Sequence, residues 1–171
     1  IFDFICRQKM GGVNLSFFFF LQLPMLSVKA MKNFAATEDV SEWIKQRVLE
    51  LIFTAHDLTA FARDCNYHGF PFKWDEERRF NLRCELDAIF FHLYSINRDD
   101  VDYIMDTFPI VKRKDEEKYN GEYRTKNTIL QIYDAMADAI KTGKPYQTLI
   151  DPPPADPRVA HQEAKDARRS M

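Results

Sequence analysis

Cysteine is scarce in this 171-residue chain, and its three cysteines, Cys6, Cys65 and Cys84, lie far apart. Their number is odd and no pair has C-x-x-C spacing, so neither a disulfide framework nor a zinc site is expected, and a reducing cytoplasm is the default setting. An excess of either charge is also absent, because 24 Lys and Arg stand against 26 Asp and Glu. This balance indicates neither a global basic field that would demand nucleic acid nor an acidic, disordered chain.

A long hydrophobic run is missing as well. The most apolar stretch, residues 13–23, contains Asn14, Ser16 and Gln22. A membrane-spanning helix needs about 20 mostly apolar residues, so the stretch is interpreted as buried core and no membrane partner is expected.

The usual catalytic motifs are also absent. The sequence has no G-x-S-x-G, G-x-x-x-x-G-K-[ST] or G-x-G-x-x-G motif, and its four histidines show no metal-binding spacing. Two weaker patterns remain. "DPPP" at 151–154 is similar to the Asp-Pro-Pro-Tyr box of amino-group DNA methyltransferases but lacks its aromatic residue, so a linker or tail is favoured. Glu116-x-Lys118 with Asp106 has the residue types of a magnesium nuclease, but a solvated loop between two helices is favoured there.

The charge pattern divides the chain into segments. Residues 1–34 carry a net charge of +3 and residues 35–111 a net charge of −7. We therefore predict a first piece at 1–34, a helical scaffold at 35–144 and a proline-rich, charged tail at 145–171, extended or disordered. The first piece is predicted to begin with a short strand over residues 2–6. A short helix capped by Asn14 or Ser16 and a continuous strand both remain open for Phe17–Phe20.

Apolar spacing and capping residues predict the helices of the scaffold. A helix is expected over residues 38–55, followed by a short one that ends near Asn66. Asp75 and Asn97 are expected to cap the next two, the second of which stops at Pro109. The last helix runs from about Arg124 to Thr142, with Gly143 after it and a stripe of Ile129, Tyr133, Met136 and Ile140. The predicted fold class is mainly α, a helical region preceded by a short α+β piece.

Two basic clusters are candidates for contact with a polyanion. Arg and Lys bind phosphates or guanine edges, and glycine lets a backbone approach a duplex closely. Taken alone, each cluster is better explained as a solvated surface, because acidic residues interrupt the second. The first cluster consists of Arg7, Lys9, Gly11, Gly12 and Asn14, and the second of Lys112, Arg113, Lys114, Arg124 and Lys126.

Several phrases, in a fixed order, carry a family resemblance. The chain contains "RQKMGGVNLSFFFFLQLPML", "WIKQRVLEL", "DEERRFNLRCELDAIFFHLY", "RDDVDYIMDTFPIVKRKDE", "GEYRTKNTILQIYDAM" and "TGKPYQTLIDPPPADPRVAH". Together they resemble the C-terminal part of large adenine-specific DNA methyltransferases, namely the bifunctional type IIG restriction-modification enzymes and the methylases of BREX-like phage-defence systems. The resemblance covers most of residues 2–161.

This resemblance implies that the first piece, including the Phe run, closes a DNA target-recognition domain, and that the acidic helices form a supporting scaffold. It implies double-stranded DNA and an upstream methyltransferase core as partners, with other defence-system proteins beside them. The cofactor, S-adenosylmethionine, would belong to that upstream core, and no cofactor is expected in this chain. The 171 residues alone are predicted to be inactive. The alternative is a non-catalytic helical module that docks a partner defence protein.

Overall fold

The computed structural model describes residues 1–9, 16–27 and 39–162 of the chain. Within these residues the chain forms α-helices, two 3-10 helices (His56–Leu58 and Pro157–Val159) and one isolated antiparallel bridge between Phe72 and Ala160. The mainly α class is therefore confirmed. The α-helices in chain order are α1 (Phe2–Lys9), α2 (Phe17–Phe20), α3 (Val40–Ile52), α4 (Thr59–Asp64), α5 (Glu76–Leu93), α6 (Arg98–Asp106), α7 (Pro109–Lys118) and α8 (Arg124–Thr142).

The chain folds into two compact units, each built from two separate segments. The first unit contains Ile1–Val40 and Cys84–Tyr146, and the second contains Ser41–Arg83 and Gln147–Met171. The predicted division at residues 34 and 144 follows the order of the sequence instead, and it stays a prediction.

The core of the first unit lies along one face of α8, which packs against α6 and α7. Ile129, Tyr133 and Met136 of the predicted stripe are buried, while Ile140 is half-buried. Burying an apolar side chain of this size contributes about 1.5–3 kcal/mol, so this face is a main source of the unit's stability. Gly143 follows α8 with φ of 67°, a left-handed conformation that strains residues with a Cβ atom, and its predicted place after the helix is confirmed.

The core of the second unit combines apolar packing with a buried ion pair. Glu50 and Arg78 lie together almost completely shielded from solvent, and the main-chain N–H of Ala155 donates to the same carboxylate over 2.8 Å. The carbonyl of Pro153 accepts a further hydrogen bond from Arg78. The apolar side chains of this core are Leu49, Phe53, Ala62, Phe72 and Ala160.

Three predicted helix starts have the expected caps. The side chain of Asp75 accepts from the N–H of Arg78 over 2.8 Å, and Asn97 accepts from Asp100 over 2.9 Å. Ser16 accepts from the N–H of Phe19, so the helix is confirmed over the strand for this stretch. Asn14, the other predicted cap, lies outside the described residues.

The strand predicted over residues 2–6 is wrong, because α1 occupies this segment. Asp3 and Arg7 stand one helical turn apart and form an ion pair of 2.9 Å. The acid lies in the first turn and the basic residues in the last, where each complements the helix dipole. The short apolar run was compatible with either structure, and these charges favour the helix.

The charged loop predicted after Pro109 is also wrong. Pro109 does not stop the preceding helix, which has already ended at Asp106, but begins α7. Proline suits the first position of a helix because its missing N–H would have no partner there and its φ is already helical.

Residues 147–162, part of the tail predicted to be extended or disordered, are held in the second unit by specific contacts. Val159 accepts a hydrogen bond from the N–H of Lys73, and His161 donates to the carbonyl of Pro71. Ala160 between them is buried. The segment has few apolar residues, yet main-chain hydrogen bonds and the Glu50 carboxylate hold it within the second unit. Deletion of residues 158–171 is therefore expected to destabilise this unit.

The stretch interpreted as buried core is largely exposed in this chain. Phe17 and Phe18 are 74% and 69% exposed, while Leu23 is buried. Successive helical residues point about 100° apart, so a helix of four phenylalanines can turn only part of its apolar surface inward.

Candidate functional site

The two weak catalytic patterns do not form reactive sites. Glu116 and Lys118 stand two residues apart on α7, a spacing that points helical side chains to different sides. Asp106, the third member of the nuclease pattern, is engaged by two lysines. Among the residues that the structure describes, no cluster of three or more His, Cys, Asp or Glu side chains could hold a metal ion.

The "DPPP" stretch belongs to the second unit, where its backbone has a structural role. The Pro153 carbonyl accepts from Arg78, so a main-chain acceptor within the motif is already used. Asp151 borders a cavity of about 290 Å³ that Asp75, Glu77 and Asn81 also line. Several acidic groups without an aromatic partner do not form a pocket for a flipped base.

Arg7 and Lys9 lie in the last turn of α1, in the first unit. The Arg7 guanidinium pairs with Asp3 and also lies over the ring of Phe108, 4.9 Å from its centroid. Lys9 is exposed. The other members of the first basic cluster, Gly11, Gly12 and Asn14, lie outside the described residues.

Lys112 and Lys126 share one carboxylate. The Nζ atoms of these lysines lie 3.4 Å and 2.8 Å from the two oxygens of Asp106, and Lys126 also reaches Asp102 at 2.8 Å. The hydrogen bond from Lys126, together with the charges of both lysines, lowers the pKa of Asp106. Burial lowers the pKa of Lys126, but its hydrogen bonds to the two aspartates outweigh this effect and the net shift is upward.

Arg113 and Arg124 occupy different surroundings. Arg113 faces Glu117 one turn further along α7, with 3.7 Å between the charged atoms, and both side chains are exposed. Arg124 donates from Nη1 to the hydroxyl of Tyr119 over 2.9 Å. The structure thus brings Arg7, Lys112 and Lys126 to the segment 106–108, where α6 ends and α7 follows, while Arg113 and Arg124 contact other side chains.

A cavity of about 320 Å³ lies beside the Arg7 guanidinium in the same unit. Its walls are mainly apolar and include Phe108, Met105 and Phe91, and the carboxylates of Asp3 and Asp87 face it. Two of its three charged side chains are acidic, so the interior of the cavity is not expected to hold a phosphate.

The sequence did not assign Lys118 or Tyr119 to contact with a polyanion. The Nζ atom of Lys118 lies 5.1 Å from the centroid of the Tyr119 ring, and Arg124 lies on the same ring at 4.9 Å. Hydrogen bonds from Lys118 and Arg124 lower the pKa of the Tyr119 hydroxyl. The signal in the sequence was an aromatic residue between basic ones, "KYNGEYR". It was overlooked because this stretch was interpreted as a loop whose charges neutralise each other.

Two further observations concern the cysteines and the hydropathy of the helices. Cys6, Cys65 and Cys84 are free thiols. Over the described ranges, none of the helices combines the length and the hydropathy that crossing a membrane requires.

Comparisons with known proteins add no relative. No protein-family model, curated protein or solved structure matches this chain.

Proposed function

We propose that this chain is the DNA-recognition and support region of an adenine-specific DNA methyltransferase of the type IIG or BREX-like kind. The ordered series of sequence phrases supports the proposal. Residues 1–34, the segment with the net positive charge, would be the end of the target-recognition domain, although the part of it that is described is helical rather than α+β. The acidic helices would be its scaffold.

One structural observation carries the proposal. Arg7, Lys112 and Lys126 come from three different helices, yet all three approach the segment 106–108 in the first unit. Two basic clusters that are about a hundred residues apart in the sequence therefore share one neighbourhood. A convergence of cations from separate elements is what binding to a phosphate backbone requires, since several contacts together fix the register of a duplex.

Each of these three basic residues pairs with an aspartate, and the pairs differ in how readily a phosphate could replace that aspartate. The side chains of Arg7 and Lys112 are 51% and 43% exposed, whereas that of Lys126 is 14% exposed and holds two aspartates. Exposed ion pairs contribute only about 0–1 kcal/mol. Arg7 and Lys112 are therefore the residues we assign to phosphate binding, and Lys126 is assigned to holding Asp102 and Asp106 in place.

The chemistry of methylation would belong to the upstream core. That core would bind S-adenosylmethionine and methylate the exocyclic amine of a flipped adenine. The residues of this chain would grip and orient the duplex, and the chain alone should transfer no methyl group.

The test begins with the DNA upstream of the codon for Ile1. If its reading frame encodes methylase motifs, the extended protein should incorporate label from S-adenosylmethionine into duplex DNA, and the 171-residue chain should not. Arg7→Ala combined with Lys112→Ala should weaken DNA binding by the extended protein. An upstream frame without methylase motifs, or DNA binding that the combined variant leaves unchanged, would refute the proposal.

A second candidate function is a non-catalytic interaction module of a defence complex. The observation that favours it is an exposed apolar surface on and after α2, formed by Phe17, Phe18, Phe20, Leu21 and Met25. Exposed apolar patches of this kind mark protein–protein interfaces. Under this alternative, Phe17→Ser combined with Phe18→Ser would abolish binding of the partner protein, whereas Arg7→Ala combined with Lys112→Ala would not.

A further inference from the structure

Tyr119 stands between two cations at the junction of α7 and α8. Arg124, the first residue of α8, donates to its hydroxyl over 2.9 Å, and Lys118, the last residue of α7, approaches its ring. The three side chains come from the end of one helix and the start of the next. They are therefore held together by local backbone structure and do not depend on a distant element.

The basic surface continues along α7. Lys114 precedes Lys118 by four residues, so the two side chains share one face of the helix and are about 6 Å apart along its axis. Both are exposed. Like charges at this spacing are unfavourable for the helix itself, so helix stability alone gives no reason for the arrangement.

Two of the three acidic residues of α7 are engaged elsewhere, and the third, Glu116, stands two residues from each lysine and so points to another side of the helix. Glu117 pairs with Arg113 on the neighbouring face. The Asp115 carboxylate accepts from the N–H of Thr125 over 2.6 Å, and thereby caps the start of α8. The face with Lys114 and Lys118 is consequently the basic side of a helix whose composition is nearly balanced.

The donors at this junction suit an oxyanion. Arginine offers two parallel N–H groups to phosphate oxygens, lysine adds a point charge, and a tyrosine hydroxyl donates a hydrogen bond. A row of cations favours a polyanion over a single ion, and duplex DNA carries one phosphate charge per about 1.7 Å of its axis. The lowered pKa of Tyr119 agrees with a local positive potential.

We propose that Lys118, Tyr119 and Arg124, continued by Lys114, form a binding site for the phosphodiester backbone of nucleic acid. The inference rests on the proposed function and extends it, because the sequence did not assign Lys118 or Tyr119 to contact with DNA. Its contacts involve other residues than the convergence of Arg7 and Lys112.

The experiment measures binding of the 171-residue chain to a duplex of scrambled sequence over a series of salt concentrations. Lys118→Ala with Arg124→Ala should reduce the slope of log affinity against log salt by about 0.9 for each phosphate that is no longer neutralised. Lys141→Ala with Lys144→Ala removes the same charge from exposed positions of the first unit and should keep the wild-type slope. Circular dichroism of both variants checks that the helices are retained.

A second readout follows Tyr119 itself. Bound phosphate disfavours the phenolate, so saturating duplex should raise the pKa of Tyr119 in an ultraviolet titration of tyrosinate, and Tyr119→Phe should abolish that change. Equal slopes for the two double variants overturn the inference, and if methylation by the extended protein is intact they leave the proposed function standing. A pKa change with inorganic phosphate but none with duplex overturns the assignment to nucleic acid, as does a wild-type chain that binds no duplex.

Discussion

Arg78 donates hydrogen bonds from Nε and Nη2 to the two carboxylate oxygens of Glu50 in the second unit. Both side chains are at most 10% exposed. The same carboxylate accepts from Ala155, and the same guanidinium donates to Pro153. This ion pair therefore fastens the segment 153–155 to two helices that precede it by about 75 to 105 residues.

Glu50→Gln should lower the free energy of unfolding by about 3–5 kcal/mol, because it leaves the Arg78 guanidinium buried without its counter-charge. Chemical denaturation followed by circular dichroism measures the loss. Adding Arg78→Met should restore part of it, since an apolar pair of similar volume avoids the buried charge. Asp134→Asn, which breaks the exposed pair with Arg98, is the matched control and should change the midpoint little. A single variant as stable as the wild type would mean that the pair is not buried.

His92 should make the protein less stable in acid. Its ring stacks on Tyr133 at 3.8 Å, and burial lowers its pKa below the ordinary 6.5. The unfolded chain then binds a proton more readily than the folded one, so the free energy of unfolding falls as pH drops below about 6.5 and levels off below the folded pKa. Denaturation midpoints from pH 8 downward test this. His92→Gln should remove that component, whereas His56→Gln should retain it, and identical profiles for wild type and His92→Gln would contradict the assignment.

Truncation before Arg158 should destabilise the second unit. It removes the hydrogen bonds of Val159 and His161 and the buried methyl group of Ala160. Each of these three interactions contributes about 1 kcal/mol, so the free energy of unfolding should fall by roughly 2–4 kcal/mol. A point substitution tests one of these bonds by itself. Lys73→Pro removes the N–H that Val159 accepts, and Lys73→Ala retains it. Equal melting temperatures for these two variants would show that the bond to Val159 does not form.

Substitution of Lys112 and of Lys126 should have different effects on stability and DNA binding, although both lysines contact Asp106. Lys112→Ala should leave the free energy of unfolding within about 1 kcal/mol of the wild type, as for exposed pairs, and reduce the salt slope of DNA binding by about one unit. Lys126→Ala should instead destabilise the first unit, because Asp102 and Asp106 then face each other without their common cation. Thermal melts and salt titrations of both variants distinguish the roles, and equal melting temperatures would refute the division.

Local signals in the sequence were sufficient for much of the helical framework. Apolar spacing and Gly143 predicted α8 from Arg124 to Thr142, and Asp75 and Asn97 predicted the starts of α5 and α6. These features act within one or two turns of a helix, so neighbouring residues are enough to determine them. Where local signals conflicted, as in α1 and α7, the prediction failed, because short apolar runs and prolines are compatible with more than one structure.

Tertiary structure decided which groups meet. Nothing in the sequence indicates that Lys112 and Lys126 hold the same aspartate, that Arg7 lies over Phe108, or that Glu50 holds a segment 105 residues away. Such pairings depend on how complete helices pack against each other. The charge or hydropathy of one residue does not indicate which distant residue it will contact. For the same reason the composition of residues 147–162 resembled that of a free tail, while the ion pair and main-chain hydrogen bonds supplied by distant residues hold the segment in a fixed place.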